Sequence, residues 1–97
     1  MSKSKTEYEI VFQSSRIEKD WFSLEAEFPE RMNQCKSYLS SSPTDRSQAI
    51  DKLKKLKGKY KGILQYDVTK DDARIWYRVD KRKRLVIIKY AGHHPNW

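Results

Sequence analysis

The chain has 97 residues and a formal net charge of +8, which fits a single domain over residues 1–97 with a modest core. No apolar run approaches the ~20 residues that cross a bilayer, and residues 1–6, which we expect to be disordered, lack the apolar region of a signal peptide. Because the one cysteine cannot form an internal disulfide, the composition predicts a cytoplasmic protein without a membrane partner.

Charge is distributed unevenly along the chain. Residues 1–51 hold 7 Lys/Arg and 9 Asp/Glu, a net charge of −2, whereas residues 52–97 hold 14 and 4, a net charge of +10. This polarity predicts a basic face, and basic faces attract polyanions, of which nucleic acid is the commonest soluble one. The alternatives are a solubilising surface and a docking surface for an acidic protein.

A strand and two helices are predicted for the first half of the chain. Residues 8–13 (YEIVFQ) are β-branched and aromatic, which favours a strand, and the serines at 14–15 can cap a helix. One apolar stripe at helical spacing follows, made of Ile17, Trp21, Leu24 and Phe28. Pro29 ends this helix and suits the first turn of a second one, which continues to about Ser41.

The second half begins with a third predicted helix and then changes its period. Ile50, Leu53 and Leu56 recur at helical spacing from about residue 47, and Gly58 is a natural C-terminal stop. After Gly58 the apolar period becomes 2, which indicates strands. The predicted strands cover residues 60–68, 73–79 and 85–90, with turns between them.

These patterns predict an α+β fold with an N-terminal strand, two to three helices and a three-stranded antiparallel meander packed against the helices. If the apolar set of each strand faces the helices, the opposite face carries Lys61, Gln65, Asp67, Arg74, Trp76 and Arg78. Cations there can neutralise phosphates, and an exposed indole can stack on a base for ~1–3 kcal/mol. The alternative for Trp76 is a partly buried sheet residue.

Three sequence motifs, in this order, resemble those of the RelE/ParE toxin superfamily: DKLKKLKGKYKG at 51–62, ARIWYRVD at 73–80 and KYAGHHPNW at 89–97. Members of that family have a Leu-Lys-rich stretch that ends in glycine, a second meander strand similar to the second motif and a C-terminal end similar to the third. The order of the predicted elements resembles theirs over nearly the whole chain.

The resemblance implies the toxin of a toxin–antitoxin pair with a RelE-like microbial ribonuclease fold. In the RelE branch such a toxin is an mRNA interferase, a metal-free endoribonuclease that cuts mRNA in the ribosomal A site and arrests growth. In the ParE branch a similar fold inhibits DNA gyrase and lacks the ribonuclease residues. The expected partners are mRNA, the ribosome and an acidic antitoxin. A gyrase inhibitor and a non-catalytic RNA-binding module are the alternative functions.

The resemblance assigns roles to individual residues of the second half. Arg74 matches the second-strand arginine that contacts phosphate. The basic residues that lead into the first meander strand are Lys57, Lys59 and Lys61. Two lysines that the best-known member has farther along that strand are absent, because Gln65 and Asp67 hold those positions. Asp51 could match the carboxylate base of one relative.

Metal-free RNA cleavage needs a base for the 2′-OH, cations for the charged phosphorane and an acid for the 5′-oxygen. Histidine suits acid–base work because its unperturbed pKa is about 6.5. His94 is therefore the first candidate and His93 the second, with Arg74 and Arg78 as phosphate clamps. The end of the last strand is expected close to the start of the strand that carries Arg74. The alternative is that both histidines are exposed tail residues.

Trp97 takes the position of the family's terminal tyrosine, and an indole can stack on a base but cannot act as acid or base. Asp67 is a further acid–base candidate, although it also suits a strand edge. A histidine pair with no Cys, Asp or Glu close by in the sequence predicts no metal site, and Cys35, on the apolar stripe of a helix, is expected in the core. The sequence has no Gly-rich phosphate loop, so no cofactor is expected.

Overall fold

The computed structural model describes residues 7–45, 53–70 and 72–93. Within these residues the chain forms two α-helices, one short 3-10 segment and five strands. In chain order the elements are β1 (Glu9–Phe12), α1 (Ser15–Glu27), α2 (Pro29–Ser41), β2 (Leu53–Lys55), the 3-10 segment (Gly58–Tyr60), β3 (Leu64–Asp67), β4 (Arg74–Asp80) and β5 (Leu85–Gly92).

The strands form one sheet in the order β1-β5-β4-β3-β2. Strands β2 to β5 pair antiparallel, and β1 pairs parallel with β5. The predicted α+β class and the antiparallel meander are therefore confirmed. The parallel pairing of β1 requires a crossover connection, which α1 and α2 provide between β1 and the rest of the sheet.

The first two predicted helices are confirmed, and they begin where the expected local causes lie. The Ser14 hydroxyl accepts a hydrogen bond from the Ile17 backbone N–H at 3.3 Å, which satisfies one unpaired donor of the first turn. Pro29 is the first residue of α2, where its missing N–H costs no hydrogen bond. Ser14 and Pro29 thus determine where the two helices begin.

The third predicted helix is wrong over its C-terminal part, because Leu53–Lys55 form strand β2. Leu53 lies opposite Tyr66 of β3 and is only 4% exposed. Pairing with the sheet edge and burial of Leu53 outweigh the weak helical spacing of Ile50, Leu53 and Leu56. The N-terminal part of that predicted helix, residues 47–52, lies outside the described residues.

The core lies between the two helices and one face of the sheet. Its largest fully buried side chains from the helices are Leu24, Met32, Cys35 and Leu39, and those from the strands are Ile75, Tyr77, Val86 and Ile88. Cys35 is 0% exposed, as its position on the apolar stripe predicts. Packing on one face only leaves the opposite face of the sheet for polar and charged side chains.

Replacing Tyr77 by phenylalanine is expected to lower the free energy of unfolding by about 1–3 kcal/mol, because it leaves a buried acceptor unpaired. The Tyr77 hydroxyl donates to the Pro43 carbonyl oxygen at 2.6 Å, and the side chain is 0% exposed. Urea denaturation measures the change, and Tyr8→Phe at the rim of the core is the matched control. Equal stability of wild type and Tyr77→Phe would show that this hydrogen bond contributes nothing.

Candidate nucleic-acid interface

The face of the sheet opposite the helices, called the open face below, takes its side chains from alternate positions of each strand. In β4, Ile75 and Tyr77 point into the core, so Arg74, Trp76 and Arg78 lie on the open face. Two cations and one aromatic ring therefore share a line along β4. At about 3.4 Å per residue, the Cα atoms of Arg74 and Arg78 lie roughly 14 Å apart.

Trp76 is buried on this face and is not an exposed indole. Its side chain is 9% exposed, and its ring lies 4.9 Å from the Tyr60 ring and 5.4 Å from the Tyr90 ring between centroids. Alternation alone predicts Tyr60 among the core-facing residues, but the 3-10 segment carries it over Trp76 instead. Lys59 adds a cation, with Nζ 5.2 Å from the Tyr60 centroid. These two partly exposed tyrosines therefore cover the tryptophan.

A hydrogen-bonded row fixes the middle of the open face. The Trp76 Nε1–H donates to Gln65 Oε1 at 2.9 Å, and the Gln65 amide donates to Asp67 Oδ1 at 2.9 Å. Lys54 Nζ lies 3.2 Å from Asp67 Oδ2. The acid–base candidate Asp67 is 5% exposed and already has two partners. These contacts give Asp67 a role in orienting Gln65 and Trp76.

A groove of about 1110 Å³ lies at the end of the sheet where β3 begins and β4 ends. The cations that line it are Lys55, Lys57, Lys61, Arg78, Lys81 and Lys89. Asp80 is the one carboxylate among the described lining residues, and the side chains of Ile63 and Ile87 add apolar surface. The groove therefore combines a strongly positive rim with apolar walls. Arg78 lines the groove and also lies on the open face, so the two surfaces are continuous.

Arg74 lies at the other end of the open face. Its Nε is buried and, within residues 7–45, 53–70 and 72–93, has no hydrogen-bond partner. Arg74 pairs with Gly92 of β5 across the sheet, so the end of the last strand does lie beside the start of β4. A buried donor without an acceptor is costly in a folded protein unless a ligand supplies one. Arg74 therefore has one donor that no acceptor among the described residues satisfies.

His93 follows β5 directly and is held by two carboxylates. Its Nδ1 lies 2.5 Å from Asp72 Oδ2, and its Nε2 lies 3.0 Å from Glu27 Oε1. The Phe28 ring is 6.4 Å from the imidazole between centroids. Because Glu27 and Phe28 lie at the end of α1, the ring of His93 is directed to the helix side of the sheet and away from the open face.

The two carboxylates also change the acid–base behaviour of the site. The hydrogen bond to Asp72 is the largest influence on His93 and raises its pKa above the usual 6.5. Desolvation comes second and lowers the pKa, and the hydrogen bond to Glu27 comes third and raises it. Burial, with smaller contributions from Asp20 and Asp72, raises the pKa of Tyr90. Burial likewise raises the pKa of the core Tyr66 to about 12. These tyrosines keep their protons at neutral pH.

Three of the residues singled out in the sequence, Asp51, His94 and Trp97, lie outside the described residues. In the part of the chain that the structure describes, no group of three Cys, His, Asp or Glu side chains could hold a metal ion. Neither described helix has the length and apolarity that a bilayer-spanning helix needs.

Several residues of this region could not be found from the sequence. Tyr60 and Tyr90 carry a signal only as aromatic residues within strand-like segments, and nothing indicates that both would cover Trp76. Glu27 and Asp72 are separated from His93 by 66 and 21 positions, so no local pattern joins them. Lys54 could be suspected only from the basic run that contains it.

Comparison with known proteins finds similarity in structure alone. No family model and no curated protein matches the chain. A YoeB/ParE toxin from Agrobacterium tumefaciens has a TM-score of 0.67 and 20% identity, over 90% of this chain and 99% of that one. A chain of the YoeB–YefM toxin–antitoxin complex from Staphylococcus aureus has a TM-score of 0.64 and 21% identity, over 91% and 98%.

A chain of the RelBE2 toxin–antitoxin complex from Mycobacterium tuberculosis is similar over 98% of this chain and 100% of its own length, with a TM-score of 0.56 and 17% identity. The similarity therefore extends over nearly the whole of each protein. The chain has the fold of the RelE/ParE-type toxins.

Proposed function

We propose that the protein is the toxin of a toxin–antitoxin pair and a metal-free endoribonuclease that cleaves mRNA in the ribosomal A site. The observation that carries the proposal is the open face of the sheet, on which Arg74 presents a buried donor without a partner. The groove beyond Arg78 supplies further cations on the same side of the molecule. Cations at both ends of one face suit a single strand with a phosphate at every nucleotide.

The open face would bind RNA through its cations and its tyrosines. Lys57, Lys61 and Arg78 would neutralise phosphates in the groove, and Lys59 would extend the positive surface beside Tyr60. Since Trp76 is covered, the tyrosine rings at its sides are the surfaces on which a base can stack, and Trp76 supports them from below. Trp97 remains a proposed stacking residue.

The reaction would proceed at the Arg74 end of the face. The 2′-oxygen forms a bond to phosphorus, the P–O5′ bond breaks, and the guanidinium of Arg74 stabilises the charged phosphorane. The 2′-OH proton passes to a base and the 5′-oxygen receives a proton from an acid, with His94 as the proposed residue for one of these roles. Asp51 stays a proposed alternative base. His93 is already bound by two carboxylates, which favours a supporting role for it.

An acidic antitoxin is the proposed protein partner. Residues 52–97 carry a net charge of +10, and a negatively charged chain laid over the groove would neutralise it and exclude RNA. Two of the similar structures are toxin–antitoxin complexes. Co-purification of an acidic partner encoded beside the gene is the expected result.

A gyrase inhibitor of the ParE type is the second candidate function, and β3 favours it. Gln65 and Asp67 occupy the positions where the RelE-type enzyme has lysines, and Asp67 pairs with Lys54. This part of the open face therefore carries less positive charge than the matching part of that enzyme. A non-catalytic RNA-binding protein is the third candidate, and it would keep the groove without the reaction.

Inducing the wild-type chain and the His94→Ala variant in cells separates these functions. The ribonuclease predicts growth arrest with loss of intact mRNA, and relief of arrest in the variant at equal protein level. The gyrase inhibitor predicts a DNA-damage response with intact mRNA. Normal growth with intact mRNA after induction of the wild type would contradict both of these functions. The non-catalytic RNA-binding protein would then be the remaining candidate.

A further inference from the structure

Three separate elements meet at His93. Glu27 is the last residue of α1, Asp72 lies in the turn between β3 and β4, and His93 follows the end of β5. Each ring nitrogen of His93 has one carboxylate oxygen within hydrogen-bonding distance. In addition, the Tyr90 hydroxyl donates to the His93 carbonyl oxygen. Hydrogen bonds therefore hold both the side chain and the backbone carbonyl group of His93 in place.

We propose that Glu27, His93 and Asp72 form a charged clamp that fastens the C-terminal end of β5 to the helix layer, with His93 as an anchor and not as the acid or base of the reaction. The existence of the clamp does not depend on the proposed ribonuclease. Its effect on activity does rest on that proposed function, since the clamp would position the chain beside Arg74.

The geometry favours an anchor for two reasons. An imidazole that meets a carboxylate at both nitrogens is a double donor, which only the protonated ring can be. Such a ring has no free nitrogen to take a proton from a 2′-OH. The ring of His93 also points toward α1 and therefore away from the open face, on which the Arg74 side chain lies. The two residues are near in the chain path only, since Gly92, which precedes His93, pairs with Arg74.

The charged and titratable groups that face His93 come from each neighbouring element. They are Glu27 at the end of α1, Asp72 in the β3–β4 turn and the Tyr90 hydroxyl of β5. All three side chains of the clamp are about half exposed, with 51% for His93, 47% for Glu27 and 51% for Asp72. Water and salt screen charge attraction at such exposed positions, so each ion pair alone contributes little. His93 is therefore held by its three contacts together, with Asp72, Glu27 and the Tyr90 hydroxyl.

The pH dependence of the clamp follows from the raised pKa of His93. A group whose folded-state pKa exceeds its unfolded value contributes its full stabilisation below the unfolded pKa, here about 6.5, and loses it as the pH rises through the folded value. The clamp is therefore expected to hold in acid to neutral solution and to open on the alkaline side. If it positions residues beside Arg74, RNA cleavage falls over the same pH range.

Proton NMR of the histidine ring tests the clamp without RNA. The chain has two histidines, so a His94→Gln variant assigns the signals. We expect His93 to titrate above 6.5 in the wild type. Asp72→Asn is expected to lower its pKa more than Glu27→Gln does, and the double variant is expected to return the pKa to about 6.5. The matched control is Glu30→Gln, which removes one exposed carboxylate from the start of α2 and is expected to leave the titration unchanged.

Amide hydrogen exchange gives a second readout of anchoring. Ala91 and Gly92 pair with Ile75 and Arg74, and their amides are expected to lose protection in the Glu27→Gln, Asp72→Asn double variant but not in Glu30→Gln. Titration of wild-type His93 at about 6.5, or unchanged protection in the double variant, would overturn the clamp.

Activity against RNA separates the clamp from the proposed function. His93→Arg keeps a fixed cation between the two carboxylates, so it is expected to retain cleavage at alkaline pH, where the wild type declines, while His93→Gln loses it at all pH values. If His93→Gln keeps wild-type cleavage and its pH profile, the positioning role is wrong. A shifted titration in a protein that cleaves no RNA would support the clamp and contradict the ribonuclease.

Discussion

Replacing Arg74 by alanine is expected to lower the rate of RNA cleavage by roughly 10²–10³-fold, the usual cost of removing one donor that stabilises transition-state charge. The side chain lies on the open face beside Gly92, and its Nε has no partner among the described residues. Among the described residues, loss of this Nε donor therefore breaks no hydrogen bond. The rate of cleavage of a ribosome-bound message measures the effect.

Arg82→Ala is the matched control for Arg74→Ala, because Arg82 is an exposed arginine in the β4–β5 turn and its loss changes the net charge equally. We expect cleavage by Arg82→Ala to stay within a few-fold of the wild-type rate. The free energy of unfolding should change little in either variant. Equal rates for wild type and Arg74→Ala would remove Arg74 from the reaction.

Replacing Lys57, Lys61 and Arg78 together by glutamine is expected to weaken binding of single-stranded RNA and to reduce its dependence on salt. Each phosphate contact contributes about 0.7 to the slope of log affinity against log salt, so three lost contacts lower the slope by about 2. At low salt this corresponds to roughly 10²-fold weaker binding. A 2′-O-methyl oligonucleotide, which cannot be cleaved, allows the titration.

The control for the groove variant is a triple variant on the helix side, with glutamine at Lys19, Arg31 and Lys36. These exposed residues lie on α1 and α2, so the net charge falls by the same amount. We expect the salt slope of this control to remain close to that of the wild type. An equal fall in both triple variants would mean that RNA responds to the total charge and not to the groove.

The helices and the meander could be predicted from the sequence because their signals are local. Ser14 and Pro29 determine where the helices begin, and period-2 alternation places Arg74 and Arg78 on one face. Strand β2 could not be predicted, since three residues are too few to show a period and Leu53 has its partner in Tyr66 of another strand.

The candidate site could be predicted only where strand alternation determines it. Alternation finds Arg74, and the order of the strands places the end of β5 beside it. It misplaces Tyr60, because the 3-10 segment that ends at Tyr60 interrupts the strand. The contacts of His93 depend on the docking of α1 against the sheet, which no pattern along the chain encodes.

The most direct test of the proposed ribonuclease is a map of mRNA 5′ ends after induction of the wild-type chain, on translated and untranslated versions of one reporter. We predict new ends confined to the translated message, which disappear in His94→Ala and in Arg74→Ala. Growth arrest with intact messages would contradict the ribonuclease and favour the gyrase inhibitor.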